Sequence, residues 1–369
     1  MDAVLTSFVD QIQAAAAATA PLRMAGGGTK AFLAPQPQGA VLDTRSFTGI
    51  TSYEPSELVV TVRAGTPLAE LEAALAEKNQ CLPFEPPRFA PGGTVGGLVA
   101  AGLSGPSRAN VGSVRDHVLG LSMLNGRAEY LTFGGQVMKN VAGYDLSRLM
   151  VGAYGTLGLL TEISLKVLPF AAAEATLAFD MDQAHALQVL HRWGGRPLPL
   201  NASSWHQQGD TGVLLLRLRG AEAAVEDACQ TLGGHRLDPA QAATQWTLRR
   251  DHQLAWFTER RQGGQALDLW RLSVPQTAPV LDLPEAPLVE WHGGQRWVHA
   301  QADQAEQVRA VALACGGSAS LFVASAAQST ADRSLLQGMA GPLVGIHRAL
   351  KQQFDPAGIF NRGRLAQDL

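Results

Sequence analysis

Apolar residues recur at helical spacing over residues 2–20, where Val4, Leu5, Phe8, Val9 and Ile12 form a stripe that Ala14 to Ala18 prolong up to Pro21. Short apolar runs at 22–25, 40–43 and 58–62 predict buried strands. Thr66 then reads as an N-cap and Pro67 as a first helical residue, with Leu68, Leu71 and Leu75 on one face of a helix ending near Asn79. A run of small apolar residues at 98–103 predicts another helix start. Between 171 and 345 the pattern changes: strand-like runs (175–179, 213–218, 267–272, 296–300, 320–324) alternate with alanine-rich helical runs (183–193, 221–232, 302–315). This predicts an α+β region whose helices cover one face of an antiparallel sheet. Strand then helix occurs twice in similar form, at 213–232 and 296–315, which suggests a duplicated ferredoxin-like unit.

A chain of 369 residues is long enough for two or three domains. Its net charge of -3 offers no basic face to nucleic acid and no polybasic patch to a membrane. Cys81, Cys229 and Cys315 are too far apart in sequence to form a metal or redox pair or to hold an iron-sulfur cluster, which fits a reducing cytoplasm. Asp2 stands near the start and no basic segment leads into an apolar run, so no signal peptide is expected. Residues 89–107 are uncharged, but two prolines and six glycines break them too often for a membrane span.

Candidate chemistry concentrates in glycine-rich loops. Gly26-Gly27-Gly28-Thr29-Lys30 follows a predicted strand and reads either as a nest of N–H groups for phosphate or as a surface turn. A Rossmann loop fails because Pro35 and Pro37 stop a helix from starting at these glycines, and a Walker A loop fails because Gly-Lys-Ser/Thr is missing. A second loop, Pro91-Gly92-Gly93-Thr94-Val95-Gly96-Gly97, leads into the small-residue helix, so the two loops are suited to hold the two charges of a pyrophosphate. Arg108 and Arg115 face an anion or cap carbonyls. Lys139, Tyr144 and Asp145 lie near a ring or serve structure, Asp145 as cap of a helix reaching Met150. His206, in His206-Gln207-Gln208-Gly209-Asp210-Thr211-Gly212, reads as a solvent-facing strand end; His292 and His299 flank an aromatic turn and are not at metal-ligand spacing.

Together, Arg23-x-x-Gly26-Gly27-Gly28-Thr29-Lys30, Val62-x-Ala64-Gly65-Thr66, Gly93-Thr94-Val95-Gly96-Gly97 and Gly112-Ser113-Val114-Arg115-Asp116-x-Val118-Leu119-Gly120 resemble the FAD-binding domain shared by vanillyl-alcohol oxidase and p-cresol methylhydroxylase (PCMH-type). Lys139-Asn140-Val141-Ala142-Gly143-Tyr144-Asp145-Leu146, Val151-Gly152-Ala153-Tyr154-Gly155-Thr156-Leu157-Gly158 and Phe354-Asp355-Pro356-Ala357-Gly358-Ile359-Phe360-Asn361 are similar to its FAD-linked 2-hydroxy acid dehydrogenase branch. The resemblance implies an α+β fold: a PCMH-type FAD-binding domain of two α/β subdomains over 1–170, an α+β cap over 171–345, and a C-terminal segment, 346–369, returning to the flavin.

It also implies that FAD is bound by Gly26, Gly27, Gly28 and Thr29 on one loop and by Pro91, Gly93, Thr94, Val95, Gly96 and Gly97 on the other, with pyrophosphate contacts through backbone N–H groups. Ser113 and Asp116 join the set; Gly155, Gly158, Leu159 and Ile163 would lie along the adenine and ribose, and Asn361 would return from the C-terminus. Covalent attachment in the family uses a histidine beside the first loop, where this chain has Thr29 and Lys30, so FAD is expected to be noncovalent. The paired histidines and Gly-Asp-Gly-Asn of self-sufficient 2-hydroxy acid dehydrogenases are missing around His206, so no metal site and no catalytic side chain are assigned.

The segment Trp291-His292-Gly293-Gly294-Gln295-Arg296-Trp297 and the weakly marked cap resemble the E subunits of bacterial glycolate oxidase, FAD-binding companions of a catalytic D subunit and an iron-sulfur F subunit. That implies oxidation of glycolate, or D-lactate, to the 2-oxo acid within a hetero-oligomer. Electrons would be relayed between the catalytic flavin subunit and the iron-sulfur subunit, in the cytoplasm or peripheral to the inner membrane through partners. A free-standing FAD-dependent 2-hydroxy acid dehydrogenase and a non-catalytic assembly subunit are the alternatives.

Overall fold

Asp2 caps the first helix, Ala3–Ala18 (α1), by accepting from the Val4 N–H at 2.9 Å, and Thr19 closes it in the left-handed region (φ 49°) ahead of Pro21. The computed structural model describes residues 2–33, 35–135, 145–209, 211–259, 267–325 and 341–365. They form two units, one of residues 1–103, 113–169 and 329–369, the other of 104–112 and 170–328. In the first unit Phe8, Ile12 and Ala15 are the buried face of α1. Leu22–Ala25 (β1) and Ala40–Asp43 (β2) pair in parallel. Ile50–Glu54 (β3), which no apolar run announces, is antiparallel to Val59–Arg63 (β4).

Two expected helix starts shift. Pro67, without a side-chain cap, is the N-cap of Leu68–Ala76 (α2); the Thr66 hydroxyl instead accepts from the Gly49 N–H at 2.9 Å, so this threonine ties two loops together. Following Gln80–Cys81 (β5), the helix Val95–Ala101 (α3) begins three residues before the apolar run, because Thr94 caps it by accepting from the Gly97 N–H at 3.2 Å. Arg108–Val111 (α4) belongs to the second unit. Back in the first, a Ser113/Asp116 capping box opens Val114–His117 (α5). Val118–Leu124 (β6) and Tyr130–Gly134 (β7) come next. Lys139 and Tyr144 lie outside the described residues. Asp145 caps Leu146–Leu149 (α6), and Leu159–Lys166 (β8) and Leu168–Pro169 (β9), the partner of β5, complete the run.

The order β3-β4-β8-β6-β7 makes a five-stranded antiparallel sheet. Every residue of β6 is buried whereas edge strand β7 alternates, as expected for a strand covered on both faces beside one with a wet face. Leu71, Leu75, Leu98 and Val99 of α2 and α3 share a core with Val62, Leu121 and Ile163 of the sheet.

The second unit runs Ala173–Asp180 (β10), Gln183–Gly194 (α7), Leu200–His206 (β11), Val213–Gly220 (β12), Glu222–Leu232 (α8), His235–Arg236 (β13), Pro239–Arg250 (α9) and Ala255–Thr258 (α10). It continues with Asp268–Ser273 (β14), Leu288–Glu290 (β15), Gln295–Ala300 (β16), Ala305–Ala314 (α11) and Ser318–Val323 (β17). Its antiparallel sheet has the order β13-β10-β12-β11-β15-β16-β14-β17. The first four strands stand in the ferredoxin-like order fourth-first-third-second, and the last four repeat it reversed, joined through β11 and β15. The duplication suggested by the alternating runs is therefore present, with the second copy crossing from β14 to β15 without a helix. The expectation of one covered face is incomplete. Helices α7 and α8 bury Leu214, Leu216 and Leu218 on one side, but Trp246 of α9 packs on Leu215 and Ala202 on the other.

The first unit resumes with Gly341–Phe354 (α12), after which the backbone joins β1: the Leu22 N–H donates to the Ile359 carbonyl at 2.7 Å and the Asn361 N–H to the Leu22 carbonyl at 3.0 Å. Among the described residues no helix is long and apolar enough to cross a membrane.

Candidate cofactor site

Strands β1, β2 and β4 each stop beside the same place, and their ends fix the two glycine loops. Thr44, just after β2, donates its N–H to the Ala25 carbonyl at 2.9 Å, where the first loop begins. Ala64 and Thr66, just after β4, accept from the N–H groups of Gly96 (2.7 Å) and Val95 (3.0 Å) in the second. Gly65 between them has no room for a side chain, since a Cβ there would fall on the Thr44 carbonyl oxygen. The loops consequently touch. A Cβ on Gly27 would overlap the Gly92 carbonyl oxygen, one on Gly26 would lie 2.5 Å from Thr94 Oγ1, and one on Gly96 2.8 Å from the Ala64 Cβ.

Two adjoining clefts open over this junction, and Met24, Ala25, Gly26, Gly97, Tyr154 and Asn361 line both. Gly27, Gly28, Thr29 and Thr94 line one; Gly96, Gly155, Gly158 and Leu159 line the other. Among the described residues the backbone N–H groups of Gly26, Gly27, Gly28 and Thr29 have no acceptor, so four consecutive donors are left to an anion. Arg23, Lys30 and Arg364 line the same cleft and, among the described residues, no carboxylate does, a local excess of positive charge in a chain of net charge -3. Burial lowers the pKa of Arg364. Its guanidinium donates to the carbonyls of Lys30 (3.3 Å) and Pro35 (3.0 Å), clasping the exit of the first loop. A glycine-walled cleft with free N–H groups and three cations fits a dinucleotide diphosphate.

The second loop is engaged in part: the N–H groups of Val95, Gly96 and Gly97 donate to Thr66, Ala64 and Thr94. Gly96 and Gly97 bring backbone close. Pro91, Gly93, Val95, Ser113, Asp116 and Ile163 are outside the cleft lining. Val95 and Ile163 are fully buried core residues, and Asp116 accepts from the Ser113 N–H and hydroxyl, both at 2.8 Å. Sequence reasoning missed Thr44, Tyr154 and Arg364. Tyr154 stands inside the glycine motif before Gly155, a signal that was present; Arg364 had none.

Arg108, His206 and His292 lie in the second unit. Arg108 lies over the Trp291 ring, 4.4 Å from its centroid. His206, at the end of β11, is partly buried; burial and the neighbouring Arg249 push its pKa down to about 4. Burial alone brings His292 to about 4, and its ring Nε2 lies 2.6 Å from the Asn110 amide nitrogen. His292 and Trp291 both take left-handed backbone (φ 56° and 53°). Among the described residues no three of His, Cys, Asp and Glu come together as metal ligands.

Residues 7–134 match the family model described as FAD binding domain. Along almost its whole length the chain is similar to "Glycolate oxidase subunit GlcE" of Escherichia coli (strain K12), 41% identical over 363 residues, covering 98% of this chain and 97% of that one. "Glycolate oxidase subunit GlcD" of Bacillus subtilis (strain 168) is 32% identical over 151 residues, 41% of this chain and 31% of that one. In three dimensions the chain resembles an alkyldihydroxyacetonephosphate synthase with a TM-score of 0.66 at 15% identity, over 96% of this chain and 75% of that one, a likeness of fold.

Proposed function

The chain belongs to the family of glycolate oxidase E subunits, FAD-binding oxidoreductase subunits of PCMH-type fold, and from that premise we propose that it binds FAD noncovalently in the glycine-walled cleft of its first unit and serves a complex oxidising glycolate, or D-lactate, to the 2-oxo acid. The observation that carries the site is the run of four unengaged N–H groups from Gly26 to Thr29 beside Arg23, Lys30 and Arg364. These groups would hold the diphosphate, Gly96 and Gly97 would let the backbone close on it, and Asn361 and Tyr154 would meet the remainder. Bound FAD supplies a two-electron acceptor, while the protein supplies position and electrostatics. Thr29 and Lys30 stand beside the first loop, where covalent attachment in the family uses a histidine, which supports noncovalent attachment. Residues 1–170 would thus be the FAD-binding domain, 171–345 the cap and 346–369 the returning segment.

Within the complex, the chain would stand on the electron path between a catalytic flavin subunit and an iron-sulfur subunit, in the cytoplasm or at the inner membrane through those partners. The match to the Bacillus subtilis D subunit, confined to 151 residues, supports a division of labour between the two chains. Purification of the chain alone and with its partners tests this. The isolated chain should carry FAD that acid precipitation releases and that glycolate leaves yellow, and the complex should bleach on adding glycolate. Bleaching of the isolated chain would make it a free-standing dehydrogenase, and an isolated chain without affinity for FAD would make it an assembly subunit.

A further inference from the structure

Lys351 is the one buried residue of α12, and its ammonium is fully engaged. It donates at 2.8 Å to each of three oxygens: the Asp355 carboxylate, the Thr156 carbonyl and the Phe360 carbonyl. Asp355, 1% exposed, accepts in turn from the N–H groups of Ile359 (3.0 Å) and Phe360 (2.8 Å), closing the turn that precedes Asn361. Gly126 lies against this carboxylate with no room for a Cβ. Both carbonyls that Lys351 holds adjoin cleft residues, Thr156 following Gly155 and Phe360 preceding Asn361.

Asn361 is held equally tightly. Its side-chain oxygen accepts from the Met24 N–H at 2.9 Å, two residues before Gly26, and its amide donates to the Tyr154 carbonyl at 2.7 Å. Its backbone is left-handed (φ 43°), a conformation that asparagine tolerates better than most residues. A Cβ on Gly155 would lie 2.8 Å from that amide nitrogen. One side chain from the far end of the chain therefore pins the strand that enters the glycine loop to the loop on the opposite wall.

Burying an ion pair costs desolvation that an apolar pair would avoid, so it adds little to stability as such and is better explained by what it orients. Burial works to lower the Lys351 pKa and Asp355 works against that. We propose that Lys351 and Asp355 are positioning residues for the cofactor: they fix Asn361 between β1 and residues 154–158, and through Asn361 they set the affinity of the cleft for FAD. This rests on the reading of the cleft as the FAD site.

The test uses the full chain and follows quenching of FAD fluorescence on titration. Lys351→Met should weaken FAD binding about tenfold, the loss of roughly one good hydrogen bond at Asn361, and Asn361→Ala should do the same. The double variant should be no weaker than either alone, because both remove the same interaction. A Lys351→Met chain that binds FAD like the wild type, or a double variant whose losses multiply, overturns the proposal. Hydrogen exchange on the wild-type chain covers the case in which Lys351→Met does not fold: FAD should slow exchange at the Met24 and Asn361 amides, and unchanged exchange there overturns the proposal equally. Wild-type binding that survives Gly27→Val would instead sink the site itself, so the two failures are distinguishable.

Discussion

The two units use polar groups in opposite ways. In the first, the candidate site is built from backbone and from missing side chains: four free N–H groups, glycines that a methyl group would displace, and cations in the lining. In the second, polar side chains are plentiful and buried, with Arg217, Arg249 and Arg296 at most 2% exposed, and they bond neighbouring strands, helix and loops. Arg217 donates to Asn201 at 2.7 Å and Arg249 to Ser204 at 2.9 Å, while Arg296 donates to the Gly293 carbonyl at 2.9 Å. Burial pushes the Arg249 pKa down to about 10, still charged at neutral pH. Richness in titratable side chains thus does not mark the candidate site here. Free backbone does.

Exchanging side chains between these two styles should break the contrast most sharply. Gly27→Val places atoms on the Gly92 carbonyl and should weaken FAD binding about 1000-fold, about 4 kcal/mol, in a fluorescence titration. Gly194→Ala, whose Cβ meets nothing within 4 Å at the end of α7, should leave affinity unchanged and stability within about 0.5 kcal/mol.

The next effect belongs to the second unit. His292 titrates near 6.5 when unfolded and near 4 when folded, so between those values the unfolded chain binds the additional proton. The stabilisation from keeping it neutral is complete above about pH 6.5 and is lost as pH falls towards 4, about 3 kcal/mol in all. Denaturant midpoints of the wild type should fall more steeply over this window than those of His292→Asn, which tolerates the left-handed backbone without the proton. Parallel curves would mean that His292 titrates in the folded chain like an exposed histidine.

The smallest difference compares two caps. Thr94→Ala removes the acceptor of the Gly97 N–H and Asp182→Ala that of the His185 N–H, and each should cost about 1 kcal/mol of stability. Only Thr94→Ala should also weaken FAD binding, by about threefold, since Thr94 lines the cleft and Asp182 does not. Equal affinities in the two variants would remove Thr94 from the site.

What could be read from the chain follows the same division. The glycine loops were legible because a close backbone approach leaves a local signature, and the duplication of the second unit because its strands and helices alternate in period. Strand β11 was legible only at its end, His206, since Asn201, Ser203 and Ser204 make a buried stretch look like a loop. Arg364 was invisible for another reason: its partner Pro35 lies about 330 residues away and only the folded chain brings it there. Lys351 has Asp355 four residues on, but its contact to the cleft wall, the Thr156 carbonyl, is 195 residues away. The engagement of the Val95 and Gly96 N–H groups was equally hidden, because it depends on Ala64 and Thr66 arriving from another strand.

A structure of the chain crystallised with FAD tests the central claim most directly. The diphosphate should lie against the N–H groups of Gly26, Gly27, Gly28 and Thr29, with Gly96 and Gly97 facing it across the cleft. A dinucleotide seated elsewhere, with those four N–H groups still facing water, would contradict it.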